Sequence, residues 1–276
     1  MTKTAISLPP NMQQVRLHVR GLRLVSLNFL LLASLGGWAG VTLAASSLIN
    51  SEVPQSASQH SHTLPSPMSQ GRLSQSVQSE MFQQAIADDL SQRPLAARKL
   101  YDALEDSEMA GEIAVPSAVN LAALARFEEA KSAFAVIAQS ANPRESNYAL
   151  LWQLWLTARM HTGKTPPLKK QLSEIAAEVN LGVPYQQAIV DLYAGKGHAE
   201  AIFSAIDTMP DLSEADKQNF ITEATFFTEG YLRYVSQDRM AALQLFKRYQ
   251  HQLYIFSLER PLINESIAEL ETAKGS

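Results

Sequence analysis

Few stretches of this chain place reactive residue types at a spacing that chemistry could use. Ala158 to Thr165, ARMHTGKT, fits a relaxed phosphate-loop spacing, in which loop amides and a following helix N-terminus would hold phosphates. That chemistry needs a strand feeding a Gly-rich loop. Here the preceding residues have helical spacing, position 158 is Ala, and Pro166 and Pro167 follow at once. The expected role is a helix-ending Gly163 between two helices. His198-Ala-Glu200 has the H-x-E shape of zinc deaminases, whose metal also needs P-C-x-x-C; the chain has no Cys. It reads as a helix start, with Glu200 favoured by the dipole. His60 and His62 have no third ligand nearby, so they read as solvated. Glu128 and Glu129 are adjacent, point apart on a helix, and cannot clasp one substrate together. HExxH, GxSxG and GxGxxG are all absent. The expectation is therefore no catalytic residue, no cofactor and no metal.

Composition narrows the partners. The chain has 276 residues, 46% of them hydrophobic, which is ample for a core. Lys3, Arg16, Arg20 and Arg23 precede the first acidic residue, Glu52, leaving 19 basic against 27 acidic side chains after residue 23. An acidic body repels phosphate backbones, so no nucleic-acid partner is expected. Without Cys, disulfides, thiol catalysis and lipid attachment at a thiol are excluded.

Four regions follow along the chain. Residues 1–23 form a basic flank, expected in the cytoplasm. Residues 24–45, LVSLNFLLLASLGGWAGVTLAA, carry no charge and are long enough to cross a bilayer of about 30 Å. They read as a single-pass inner-membrane anchor, with a signal peptide cleaved near Ala44–Ser46 as the alternative, which would leave a soluble periplasmic protein. Either way the positive-inside rule puts the body outside the cytoplasm. Gly36 and Gly40 make a GxxxG pair suited to a homodimer contact. Residues 46–76, rich in Ser, Gln and Pro, read as a flexible linker.

Residues 77–276 read as helical throughout. In FFTEGYLRYVSQDRMAALQLFK, Phe226, Gly230 and Tyr234 are spaced four apart before a break at SQD, and Ala242 and Phe246 four apart after it. Ala97-x3-Tyr101 and Ala130-x3-Phe134 repeat the second element 33 residues apart. Leu168 and Leu172 replace the small–aromatic pair in a third unit, and GKG at 195–197 turns a fourth. Pro116 is expected to shorten or kink the helix before RFEEA. Gly at a helix contact followed by A-x3-F resembles the tetratricopeptide repeat, whose period is 34 residues. The fold class expected is thus all-α: stacked antiparallel helical hairpins in a tetratricopeptide-like superhelix, closed by a helix over Glu259–Leu270 and preceded by one N-terminal transmembrane or signal helix.

LWLTAR (154–159), the spacing of Gly230, Ala242, Phe246 and Lys247, and FSLER (256–260) resemble the NlpI-type envelope proteins of Gram-negative bacteria. The resemblance covers about the C-terminal 45% of the chain. It implies a periplasm-facing helical scaffold that serves as an adaptor, although lipidation as in that family is impossible here without Cys. In stacked hairpins the first helices line a groove. If Trp152 and Phe226 pack inside their hairpins, Gln153, Thr157, His161, Phe227, Tyr231 and Tyr234 face it and form the expected protein-binding groove. The function expected is a membrane-tethered, periplasm-facing adaptor for other envelope proteins in an envelope or secretion assembly. The alternative is a cell-wall glycan-cleaving enzyme working through a single Glu in a cleft.

Overall fold

Prolines and short polar side chains mark where the helices start. The computed structural model of the chain describes residues 73–177 and 179–272; all regular structure among them is helical, with no strand. Five hairpins follow one another: α1 (Gln75–Leu90) with α2 (Pro94–Leu104), α3 (Ala110–Ala123) with α4 (Phe127–Ile137), α5 (Pro143–Met160) with α6 (Thr165–Ala176), α7 (Pro184–Tyr193) with α8 (Ala199–Asp207), and α9 (Glu214–Gly230) with α10 (Arg239–Tyr249). α11 (Arg260–Thr272) comes last. Pro94, Pro143 and Pro184 each open a helix, where a missing N–H costs nothing. Asn142, Ser213 and Asp238 accept bonds from first-turn amides of α5, α9 and α10. The segment 24–45 and most of the linker lie outside the described residues. Among the described residues, no helix is long and apolar enough to cross a membrane.

Every hairpin turn contains one residue with positive φ: Gln92, Ala125, Gly163, Gly195 and Gln237. In three of them the chain closes a Schellman-type bond, from Arg93 N to Asp88 O, Arg126 N to Leu121 O and Lys196 N to Asp191 O, at 2.8–2.9 Å. Left-handed backbone costs a non-glycine residue about 1–2 kcal/mol. Ala125→Gly removes that cost and adds unfolded-state entropy of about 0.5–1 kcal/mol. It is expected to be neutral or to stabilise the chain by up to about 1 kcal/mol, read as a raised denaturation midpoint; a clear loss of stability would contradict the turn geometry.

The repeat positions of the second helices are buried in all five hairpins: Ala97 and Tyr101, Ala130 and Phe134, Leu168 and Leu172, Ile202 and Ile206, Ala242 and Phe246. Ala97 and Tyr101 belong to a smaller cluster of the first hairpin, and the other eight share one core with aromatic residues of α5 and α9. Trp152 stacks on Phe134, with centroids 4.9 Å apart, and Phe226 stacks on Trp155 at 5.1 Å. Two expectations are corrected. Of the two outcomes expected at Pro116, a shortened helix is not the one found: the proline lies buried inside the 14-residue α3. Gly230 was expected to bring the two helices of its own hairpin together. Instead a Cβ there would overlap Cδ1 and Nε1 of Trp155 on α5 and stand 3.1 Å from Tyr193 Oη on α7. The glycine makes room for an indole from an earlier hairpin.

One feature has no counterpart in the sequence pattern. After Gly230 the helix continues as a π-turn over Tyr231–Val235, closed by Ser236 N to Tyr231 O at 3.0 Å. The wider turn shifts the helical register of Tyr231, Arg233 and Tyr234.

Candidate functional site

The chain lays its own C-terminal segment against the first helices α5 and α9. Tyr254 N donates to Thr222 Oγ1 on α9 at 2.7 Å. Glu259, 4% exposed, accepts from Tyr148 Oη on α5 and from Ser257 Oγ. Burial raises the Tyr148 phenol well above its usual range, so it stays protonated and can donate. Farther along, Ser266 on α11 donates to Glu229 at 2.8 Å and accepts from Arg233 at 2.9 Å. Arg233 also pairs with Glu269. α11 thus bonds to α9 and its π-turn, packs beside α10, and reaches α1 as well. Leu258 packs against both the main core and the smaller apolar cluster of the first hairpin.

Where α11 meets the first two hairpins it leaves a cleft of about 350 Å³. Leu90, Val119 and Leu258 supply apolar wall; Asp89, Asn120 and Glu265 supply oxygen. The polar side is built by a seam between the two hairpins. Asp89 accepts from Tyr101 Oη at 2.9 Å and from Asn120 Nδ2 at 2.6 Å, and Asn120 Nδ2 also donates to Pro94 O at 2.9 Å. Arg98 bridges to Ser117 O at 3.2 Å. Burial pushes the Asp89 carboxyl up to about 6, against the pull of Asn120, Tyr101 and Arg98. Burial also raises Glu265.

A second acidic group lies under the C-terminal segment. Glu223, 7% exposed, accepts from Gln186 Nε2 at 2.9 Å. Burial and the nearby Glu259 push it up to about 8. Burial similarly takes Glu229 to about 7, although Arg233 stands 3.8 Å away; the loss of hydration outweighs a distant ion pair.

The six residues expected to line a groove do not form one open surface. Gln153 donates to Phe134 O and so points at α4. Thr157 and Phe227 are buried, Phe227 with its ring edge-on to Tyr148 and Trp152. His161 sits in the turn after α5, its Nε2 2.9 Å from Lys164 O. Tyr231 and Tyr234 are half-buried between hairpins: Tyr231 edge-on to Tyr193, Tyr234 edge-on to Trp155 with Arg159 and Arg233 over its ring. Tyr231→Ala with Tyr234→Ala is expected to lower the melting temperature, since both rings fill space between repeats.

The motifs met in the sequence fall where helix logic puts them. ARMHTGKT is the end of α5, a turn with Gly163 at φ 126°, and the start of α6. His198 caps α8, its Nδ1 accepting from Ala201 N at 3.3 Å. Among the described residues no cluster of His, Asp or Glu is arranged to hold a metal. Sequence reasoning missed Asp89, Asn120, Glu223 and Glu259. A signal existed for two of them: Asp89 follows Ala85 and Ile86 by four and three residues, and Glu223 precedes Phe226 and Phe227 by three and four. Each is a carboxylate in the apolar phase of its helix. Comparison with protein-family models, curated proteins and solved structures finds no match to this chain.

Proposed function

We propose that this chain is a helical-repeat adaptor: a membrane-tethered, periplasm-facing scaffold that binds other envelope proteins along the face built from its first helices. One observation carries this reading. Helix α11 already seats against α1, α9 and the neighbouring second helix α10 through a mixture of apolar contact and partly buried polar bonds. A surface that seats a helical segment of its own chain has the shape and hydrogen-bonding groups that helical peptides need. The address rests on the basic flank and uncharged span at 24–45. Alkaline phosphatase fused after Ser76 is expected to be active and fused after Arg16 inactive; the reverse would overturn the topology. Crosslinking and recovery of the tagged full-length chain from envelope membranes is expected to bring down one or a few protein partners, and recovery of none would overturn the adaptor reading.

A second reading, glycan cleavage, has one observation in its favour. Asp89 lies in a cleft and protonates near 6, in the range useful to a general acid. Against it, each Asp89 oxygen already accepts a bond, from Tyr101 and from Asn120, as in a structural seam. Cell-wall hydrolysis that is present in the parent and lost in Asp89→Asn would favour the enzyme.

A further inference from the structure

We infer that the cleft between α11 and the first two hairpins receives a single organic cation, the ammonium or guanidinium end of a lysine or arginine side chain from a partner protein. The inference rests on the adaptor reading and names what its partner must present.

Size comes first. Pockets for small molecules span roughly 300–1,000 Å³; at about 350 Å³ the cleft lies at the small end of that range and has room for one long side chain. Its walls fix the character of that side chain. Leu90, Val119 and Leu258 offer apolar surface, which fits a methylene stem. At the polar side stand two carboxyls, Asp89 from α1 and Glu265 from α11, and no Lys, Arg or His lines the cleft.

Asn120 adds an independent requirement. The residue is 1% exposed, and its Nδ2 is committed to Asp89 and to Pro94 O, which fixes the orientation of the amide. Its Oδ1 has no hydrogen-bond partner within the chain. A buried carbonyl oxygen without a donor is costly. Asn120 belongs to the cleft lining, so a positively charged donor entering there would serve the carboxyls directly, and this covered oxygen once the lining gives way. Asp89 retains acceptor capacity, because a carboxylate has about four lone-pair sites and two bonds use only part of them. The groups facing Asp89 do not already neutralise the cleft. Arg98 is engaged with Asp102 and Ser117 O, Arg93 pairs with Asp88, and Tyr101 and Asn120 are neutral.

The test uses the full-length chain purified in mild detergent. The probe is N-acetyl-lysine methylamide, followed by ligand-observed NMR, beside the same compound acetylated on its side-chain nitrogen. The charged probe is expected to bind at least tenfold more tightly than the neutral one. Glu265→Gln, which alters an exposed residue on α11, is expected to weaken it about tenfold without changing the melting temperature. Ala268→Phe, which places a ring in the cleft, is expected to abolish binding. Lowering the pH from 7 to 5 is expected to weaken binding as Asp89 takes up a proton. Equal binding of the charged and neutral probes, or binding untouched by both substitutions, overturns the inference. Spermidine is the second arm: if it binds tenfold or more tightly than the lysine probe, the source is a free polyamine and the partner side chain is overturned. Partner recovery from envelope membranes is measured in parallel with the parent and with Glu265→Lys. Recovery lost only in Glu265→Lys supports the inference. Equal recovery from both overturns it while leaving the adaptor reading intact, and recovery from neither overturns the adaptor reading itself.

Discussion

A chain carrying Gly230→Leu is expected to melt far below its parent. The side chain would enter space held by the Trp155 indole, which is itself fixed by the Phe226 ring stacked on it and by Trp152 edge-on at 5.3 Å. Tyr193 closes the other side, its hydroxyl donating to Phe227 O at 2.9 Å. The indole cannot move without disturbing three hairpins. Overpacking costs about 1–3 kcal/mol and more where neighbours cannot yield; a loss of about 3 kcal/mol, or roughly 6–12 °C in a domain of this size, is expected. Even Gly230→Ala should cost a measurable share, because the overlap begins at Cβ. Adding Trp155→Leu to Gly230→Leu should recover part of the loss, giving a coupling energy that a double-mutant cycle reads directly. If Gly230→Leu melts within a degree of the parent, the indole does not sit on this glycine.

Stability is expected to fall as pH rises from about 5 to 8, and Glu223 is the main cause. Its carboxyl has an ordinary value of 4.5 when exposed and about 8 when folded. Between those values the folded chain holds a proton that the unfolded chain has released. The contribution is therefore complete below 4.5 and is lost as pH climbs through 8. Glu229 acts in the same direction, between 4.5 and about 7. With each pKa unit worth about 1.4 kcal/mol before relaxation and water entry, a loss on the order of 2–4 kcal/mol across this range is expected. Glu223→Gln keeps the shape and the bonding to Gln186 but has no proton to lose. It should match the parent at pH 5 and melt well above it at pH 8. Parallel melting curves for the two chains across this range would show that Glu223 does not titrate between the folded and unfolded states. Since Glu223 lies beside Glu259, the ionised pair would repel, and the C-terminal segment should loosen first.

The helical hairpins were legible because their signals are local. Apolar residues four apart, prolines at helix starts and the 33-residue offset from Ala97 to Ala130 each reflect contacts made within one hairpin or its neighbour. The turns were harder to read: the positive-φ position holds Gln, Ala, Gly, Gly and Gln in successive hairpins, so one backbone requirement appears under three residue types. The π-turn at Tyr231–Val235 is invisible in a 3.6-residue pattern, since it changes the period itself. The cleft was beyond reach for another reason. Asp89 and Asn120 meet across the first two hairpins, and Glu265 joins them only because α11 returns there; no local periodicity encodes that return. Of the six groove residues, Phe227 and Thr157 lie buried, and Gln153 turns to the backbone of α4, contacts that spacing along a single helix does not report.

That return also governs the order in which the molecule can be made. A stack of hairpins alone has only neighbour contacts, and each unit can settle as soon as the next one emerges. α11 joins residues far apart in the chain, as in the bond from Tyr148 to Glu259 across 111 positions. Such contacts raise contact order and cannot form until all ten preceding helices exist. The contacts of this strap are thus the last that synthesis makes possible, after those that already join the third and fifth hairpins. Until that moment Tyr148, Thr222 and Glu229 lack the bonds that Glu259, Tyr254 and Ser266 supply, and a chaperone or a binding protein would meet a surface that the finished molecule covers.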